Sequence, residues 1–244
     1  MTETPRLLRH DADGLCTLTF NRPEKLNALD TRLFAELDAA LAALESEADR
    51  IGCVVIRGAG RAFCAGADLN GFAAGGFAKT WNPKIVERLA SLPQPVIAAV
   101  HGTCFTGGLE IALAADLILA DPSARFADTH GKWGFVGEWG MTQRLPRRVG
   151  LAQARRLMLT AQPIDAAEAH RIGLVDQIAD DLETLTATVA GQILANSWHT
   201  NRANKRLLCE TDGMTLAQGL AHEHYYNPGF APDWEERVAR FSRK

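Results

Sequence analysis

Apolar residues in this chain switch repeatedly between a two-residue rhythm and a three-to-four-residue rhythm. Leu15 to Phe20 alternates and reads as a strand, closed by Asn21-Arg22-Pro23. Asp30 is placed to cap a helix on which Leu33, Phe34, Leu37, Leu41 and Leu44 recur at helical steps. Cys53 to Ile56 is a short, continuously apolar run of the kind that forms a buried strand. Phe72 to Lys79, rich in Gly and Ala, reads as a loop, and a helix is expected from Pro83 to Ser91. A strand over Val96–Val100, a helix from Gly107 and a strand over Leu117–Ala120 follow in turn. Further helices are expected over Leu151–Leu159 and Ala166–Arg171, with a short strand at Gly173-Leu174-Val175. From about Leu182 the pattern is helical, broken at Asn227-Pro228-Gly229. Strands alternating with helices imply an α/β fold with crossover connections.

The most informative stretch is Ala98 to Asp116. An apolar strand runs into a loop that opens a helix at Gly107, and Glu110 sits in the first turn of that helix. Consecutive glycines, Gly107-Gly108, let backbone N–H groups face a ligand with no Cβ in the way. Such donors suit a developing oxyanion, with a carboxylate one turn away as acid or base. The same residues also suit a tight connection whose Glu merely complements the helix dipole.

A second stretch repeats the theme. Arg57-Gly58-Ala59-Gly60-Arg61-Ala62-Phe63-Cys64-Ala65-Gly66-Ala67-Asp68-Leu69 again passes from strand to glycine-rich turn. Its glycines lack the spacing and the Lys of a nucleotide-binding loop. Together with Asn21-Arg22-Pro23-Glu24-Lys25-Leu26-Asn27-Ala28-Leu29, Pro95 to Val100 and Thr142-Gln143-Arg144-Leu145-Pro146-Arg147, it resembles the crotonase (enoyl-CoA hydratase/isomerase) superfamily. The likeness runs from about residue 14 to about residue 178 in the family's order, and only loosely beyond.

The resemblance implies a spiral of ββα units followed by a helical C-terminal region that mediates trimer or hexamer assembly. The division expected is 1–190 for the core and 191–244 for the helical region. It implies an acyl-CoA substrate whose thioester oxygen is held by the backbone N–H groups of Ala67 and Gly107. Glu110 matches one of the two glutamates of the family's hydratases. Where those enzymes carry Pro-Glu as the second, this chain has Thr129-His130, and a histidine exchanges protons near neutral pH. Asp128, two residues earlier, is expected to face away from His130. Glu138 stands where hydratases usually carry Gly and several isomerase and hydrolase relatives carry an acid. Between Gly137 and Trp139, it is expected in an apolar, tight setting. Lys25, Ala28, Ala65, Asp68 and Leu69 fall at positions implied to meet CoA. Trp133 and Trp139 are the aromatics expected at the acyl pocket, ahead of Phe72, Phe77 and Trp81.

Composition narrows the partners. The 244 residues are 47% hydrophobic and 23% charged, enough for one large domain or a core with a small appendage. A net charge of −3 gives no sign of a nucleic-acid surface. The five cysteines lack a CxxC pair and read as reduced thiols, and no apolar run spans a bilayer, so a soluble cytoplasmic protein is expected. His222-Glu223-His224 splits its two imidazoles around a helix and suggests no metal site. Hydration of a 2-enoyl-CoA is the leading expectation. Double-bond isomerisation through Glu138, thioester hydrolysis and CoA binding without turnover are the alternatives.

Overall fold

The computed structural model describes residues 4–69 and 81–241. The loop expected at Phe72 to Lys79 lies outside the described residues. Strand β1 (Leu7–Ala12) pairs antiparallel with β2 (Leu15–Phe20) through a two-residue turn, Asp13-Gly14. Both turn residues have positive φ, 50° and 81°, and Asp-Gly tolerates that pair while matching the twist of the strands. Parallel strands then follow: β3 (Cys53–Gly58), β4 (Val96–Val100), β6 (Leu117–Ala120) and β9 (Gln177–Ile178). The order in the six-stranded sheet is β1-β2-β3-β4-β6-β9. A smaller sheet, β5-β7-β8, is built from β5 (Thr103–Phe105), β7 (Arg125–Ala127) and β8 (Ile164–Asp165).

Alternation along the buried strands sends side chains to two cores. Val54, Ile56, Val96, Ala98 and Ile118 meet helix α1 (Thr31–Ser46), whose Leu33, Phe34, Leu37, Leu41 and Leu44 are fully buried, as the periodicity predicts. Asp30 caps α1 by accepting from the Leu33 amide at 2.9 Å. On the opposite face, Cys53, Val55, Ile97, Ala99 and Leu119 pack against Val189 and Ala190 of helix α8 (Leu182–Ala195). The division expected at 190/191 falls inside α8.

Between these lie α2 (Trp81–Ala90), α3 (Gly107–Leu113), α4 (His130–Trp133), α5 (Met141–Val149), α6 (Leu151–Thr160) and α7 (Ala166–Arg171). Helices α9 (Trp198–Glu210), α10 (Leu216–Tyr226) and α11 (Trp234–Phe241) complete the chain. The strand expected at Gly173–Val175 is a turn. Leu174 and Val175 are buried there because their amides fold back onto the Ala169 carbonyl, at 2.8 and 3.2 Å, and the strand comes later, at Gln177–Ile178.

Candidate active site

Two loops converge on the N-terminus of α3. Leu29 forms a parallel bridge with Ala67, in which the Leu29 amide donates to Gly66 O and the Asp68 amide donates to Leu29 O, each at 2.8 Å. Because successive peptide groups of an extended chain point to opposite sides, the Ala67 N–H is turned away from Leu29. The Gly107 N–H is the first of α3 and has no intrahelical acceptor. Among the described residues neither amide donates to a protein acceptor, and both residues line one cavity of about 890 Å³.

Glycine is required on both sides of this junction. Gly66 has φ +103°, and a Cβ there would lie 2.1 Å from Thr106 Oγ1. A Cβ on Gly107 would lie 2.3 Å from the Trp139 ring, and one on Gly108 2.3 Å from the Cys64 carbonyl oxygen. Thr106, a non-glycine residue at φ 45° and ψ −113°, turns the chain into α3 at a backbone cost of about 1–3 kcal/mol.

Glu110 is 1% exposed. Its Oε1 accepts from the Trp139 amide at 2.9 Å and the Met141 amide at 3.1 Å. Burial pushes its pKa up to about 6, against the pull of His130 and the two amides. Its other oxygen, Oε2, stands 3.8 Å from His130 Nε2. His130 is held from behind, its Nδ1 lying 2.6 Å from Asp128 Oδ1. Burial pulls the imidazole pKa down, but the Asp128 hydrogen bond and the charges of Glu110 and Asp128 outweigh it and raise it above its ordinary value. Asp128 is therefore not turned away from His130, contrary to expectation; residues two apart share a face even in an extended segment. Its Oδ1 also accepts the His130 amide at 3.1 Å, closing an Asx turn that starts α4. This Asx pattern, Asp two residues ahead of His, was the available sequence signal.

Glu138 also lines the cavity but is exposed, so the apolar, tight setting expected for it is absent. Trp139 is the buried member of that pair, edge-on to Phe34 at 5.0 Å. Ala65, Leu69 and Trp133 line the cavity, as do Asn82, Phe105, Thr129 and Phe135. Lys25 is exposed and Ala28 half-buried. Asp68 directs its carboxylate to Arg22 at 3.0 Å. Arg22, a residue the sequence reading passed over, ties this loop together, since it also pairs with Asp30. Phe72 and Phe77 lie outside the described residues. His222 binds Glu210 at 2.8 Å, and no cluster of metal-ligating side chains occurs among the described residues. No helix among them is long and apolar enough to cross a membrane.

Known proteins share this architecture. Residues 10–230 match the profile described as enoyl-CoA hydratase/isomerase. The 1,2-epoxyphenylacetyl-CoA isomerase of Escherichia coli is 36% identical, the alignment covering 98% of this chain and 95% of the relative. A short-chain-enoyl-CoA hydratase of Clostridium acetobutylicum is 37% identical over 75% of this chain and 73% of its own length. The solved enoyl-CoA hydratase from Bacillus anthracis superposes with a TM-score of 0.92 at 31% identity, covering 98% of this chain and 96% of that one. With the α/β spiral and the family's motifs in their usual order, this chain is an enzyme of the enoyl-CoA hydratase/isomerase family, within the crotonase superfamily.

Proposed function

We propose that the protein adds water across the double bond of a 2-enoyl-CoA, with Glu110 as base and His130 as acid. The observation that carries this is the 3.8 Å approach of His130 Nε2 to Glu110 Oε2 in the cavity that Ala67 and Gly107 also line. A gap of that size lets one water touch both groups. The Glu110 carboxylate takes a proton from water as its oxygen bonds to C3. Negative charge moves to the thioester oxygen, where the Ala67 and Gly107 amides receive it. The His130 imidazolium then gives its proton to C2. Glu110 ends protonated and His130 neutral, and a proton passing back across the gap restores the starting state.

No further cofactor enters this scheme; coenzyme A arrives as part of the substrate. The five free thiols fit a reducing, cytoplasmic setting. Exposed Leu208, Leu216, Leu220, Tyr225 and Phe241 on the C-terminal helices, with Phe230 between them, support assembly as a homotrimer or a dimer of trimers.

Ultraviolet absorbance of the conjugated thioester tests the reaction. Loss of signal from a trans-2-enoyl-CoA is expected, with Glu138→Gly retaining most of the rate. Gain of signal from a 3-enoyl-CoA, abolished by Glu138→Gly, would instead make this an isomerase. Release of free CoA thiol would make it a hydrolase.

A further inference from the structure

Asn82 is 3% exposed, lines the cavity and makes no side-chain hydrogen bond among the described residues. Thr129, 9% exposed, lines the same cavity, and its hydroxyl caps no amide and has no partner there either. Away from this cavity, Gln94 Oε1 is a buried carboxamide oxygen without a partner among the described residues, while Asn27 shows the fully paired case. Asn27, fully buried, accepts from the Arg22 amide at 2.9 Å and donates to Ala59 O at 2.9 Å and Ala62 O at 2.7 Å. The polar atoms of Asn82 and Thr129 are not sealed off in the protein but open to the cavity, and the few polar groups that line an otherwise apolar cavity are the ones that orient a ligand.

The thioester oxygen already has its donors in Ala67 and Gly107. Asn82 sits on α2, which packs against the helix carrying Glu110, and Thr129 adjoins His130 in the chain. Both line the cavity that also holds the acid–base pair, among apolar neighbours that include Leu69, Pro83, Phe105 and Trp133. We propose that Asn82, with Thr129, reads an oxygen function on the acyl group, so that the enzyme prefers a hydroxy- or oxo-acyl-CoA over a plain hydrocarbon chain. This rests on the acyl-CoA reading above. A carboxamide offers both a donor and an acceptor, which suits either oxygen function.

Binding of non-reacting thioesters tests this without turnover. Calorimetry would compare hexanoyl-CoA with 4-oxohexanoyl-, 5-oxohexanoyl- and 6-hydroxyhexanoyl-CoA. At least one oxygenated chain is expected to bind tenfold or more tightly than hexanoyl-CoA. Asn82→Leu is expected to abolish that preference while leaving hexanoyl-CoA within about threefold, and Thr129→Val to reduce it. Should Asn82→Leu fail to fold, Asn82→Ala replaces it. Equal affinity of the wild type for all four would overturn the inference on its own. So would an Asn82 variant that weakens hexanoyl-CoA and free CoA alike, which would assign Asn82 to the pantetheine arm. No binding of hexanoyl-CoA at all would remove the acyl-CoA reading, and this inference with it.

Discussion

Asp128 grips His130 twice through one oxygen, at the ring Nδ1 (2.6 Å) and at the backbone amide (3.1 Å). The ring therefore keeps its Nε2 toward Glu110, and a proton on Nδ1 is held by a buried carboxylate. Asp128→Asn removes that charge and leaves the shape. The His130 pKa should fall, read from its ring resonances by NMR titration, and the alkaline limb of the hydration profile should move to lower pH with it. The rate at pH 7.5 should drop about 10- to 100-fold. An unchanged His130 titration would show that Asp128 does not control the ring.

Glu110 places activity and stability in opposition. Its folded pKa of about 6 lies above the ordinary carboxylate value of 4.5, so its neutral form is the better buried one. The associated stability is fully present below about pH 4.5 and is lost as pH rises through 6, by about 2 kcal/mol. Glu110→Gln should melt higher than the wild type at pH 7.5, with the difference closing toward pH 4. Hydration should fall about 10²- to 10⁴-fold. The wild-type rate should decline below pH 6, as its base becomes protonated.

Gly66→Ala tests the oxyanion donor. The new methyl would meet Thr106 Oγ1 at 2.1 Å with the backbone at φ +103°, so the Ala67 amide must shift. Maximal rate should fall about 100-fold, as for loss of one such donor, with substrate affinity changed far less. Steady-state kinetics that showed only weaker binding would argue against this role.

Thiol chemistry should divide the cysteines. Cys16, Cys53, Cys64 and Cys104 are buried, and burial pushes the first three thiols up to about 12 and Cys104 well above its ordinary value. Cys209 is exposed on α9. A thiol-specific chromophore should titrate one group in the native protein and all five after unfolding.

How much of this was legible beforehand depends on the range of the interactions. The α1 periodicity and its Asp30 cap are local, and the structure follows them. Strand β1 was missed although Asp13-Gly14 is a strong turn signal, because Leu7–Ala12 carries His and Asp among its apolar residues. Leu174 and Val175 look like strand residues because burial alone dictates their type, and a turn can bury them as well. The expectation for Asp128 fails because residues two apart share a face in an extended chain, and the Asx turn brings its carboxylate onto His130 as well. The setting of Glu138 differs from the expectation because its apolar neighbour, Trp139, takes the buried position while Glu138, just before it, faces out. Asn82 and Thr129 carry no sequence pattern, since their importance lies in what they fail to touch.

The two oxygens of Glu110 divide their labour. Oε2 faces His130, while Oε1 fastens the Trp139 and Met141 amides and so moors one wall of the cavity. The proton acceptor and the mooring are one group. Each proton Glu110 takes up weakens its hold on those amides, so chemical turnover and the tension of the surrounding wall rise and fall together.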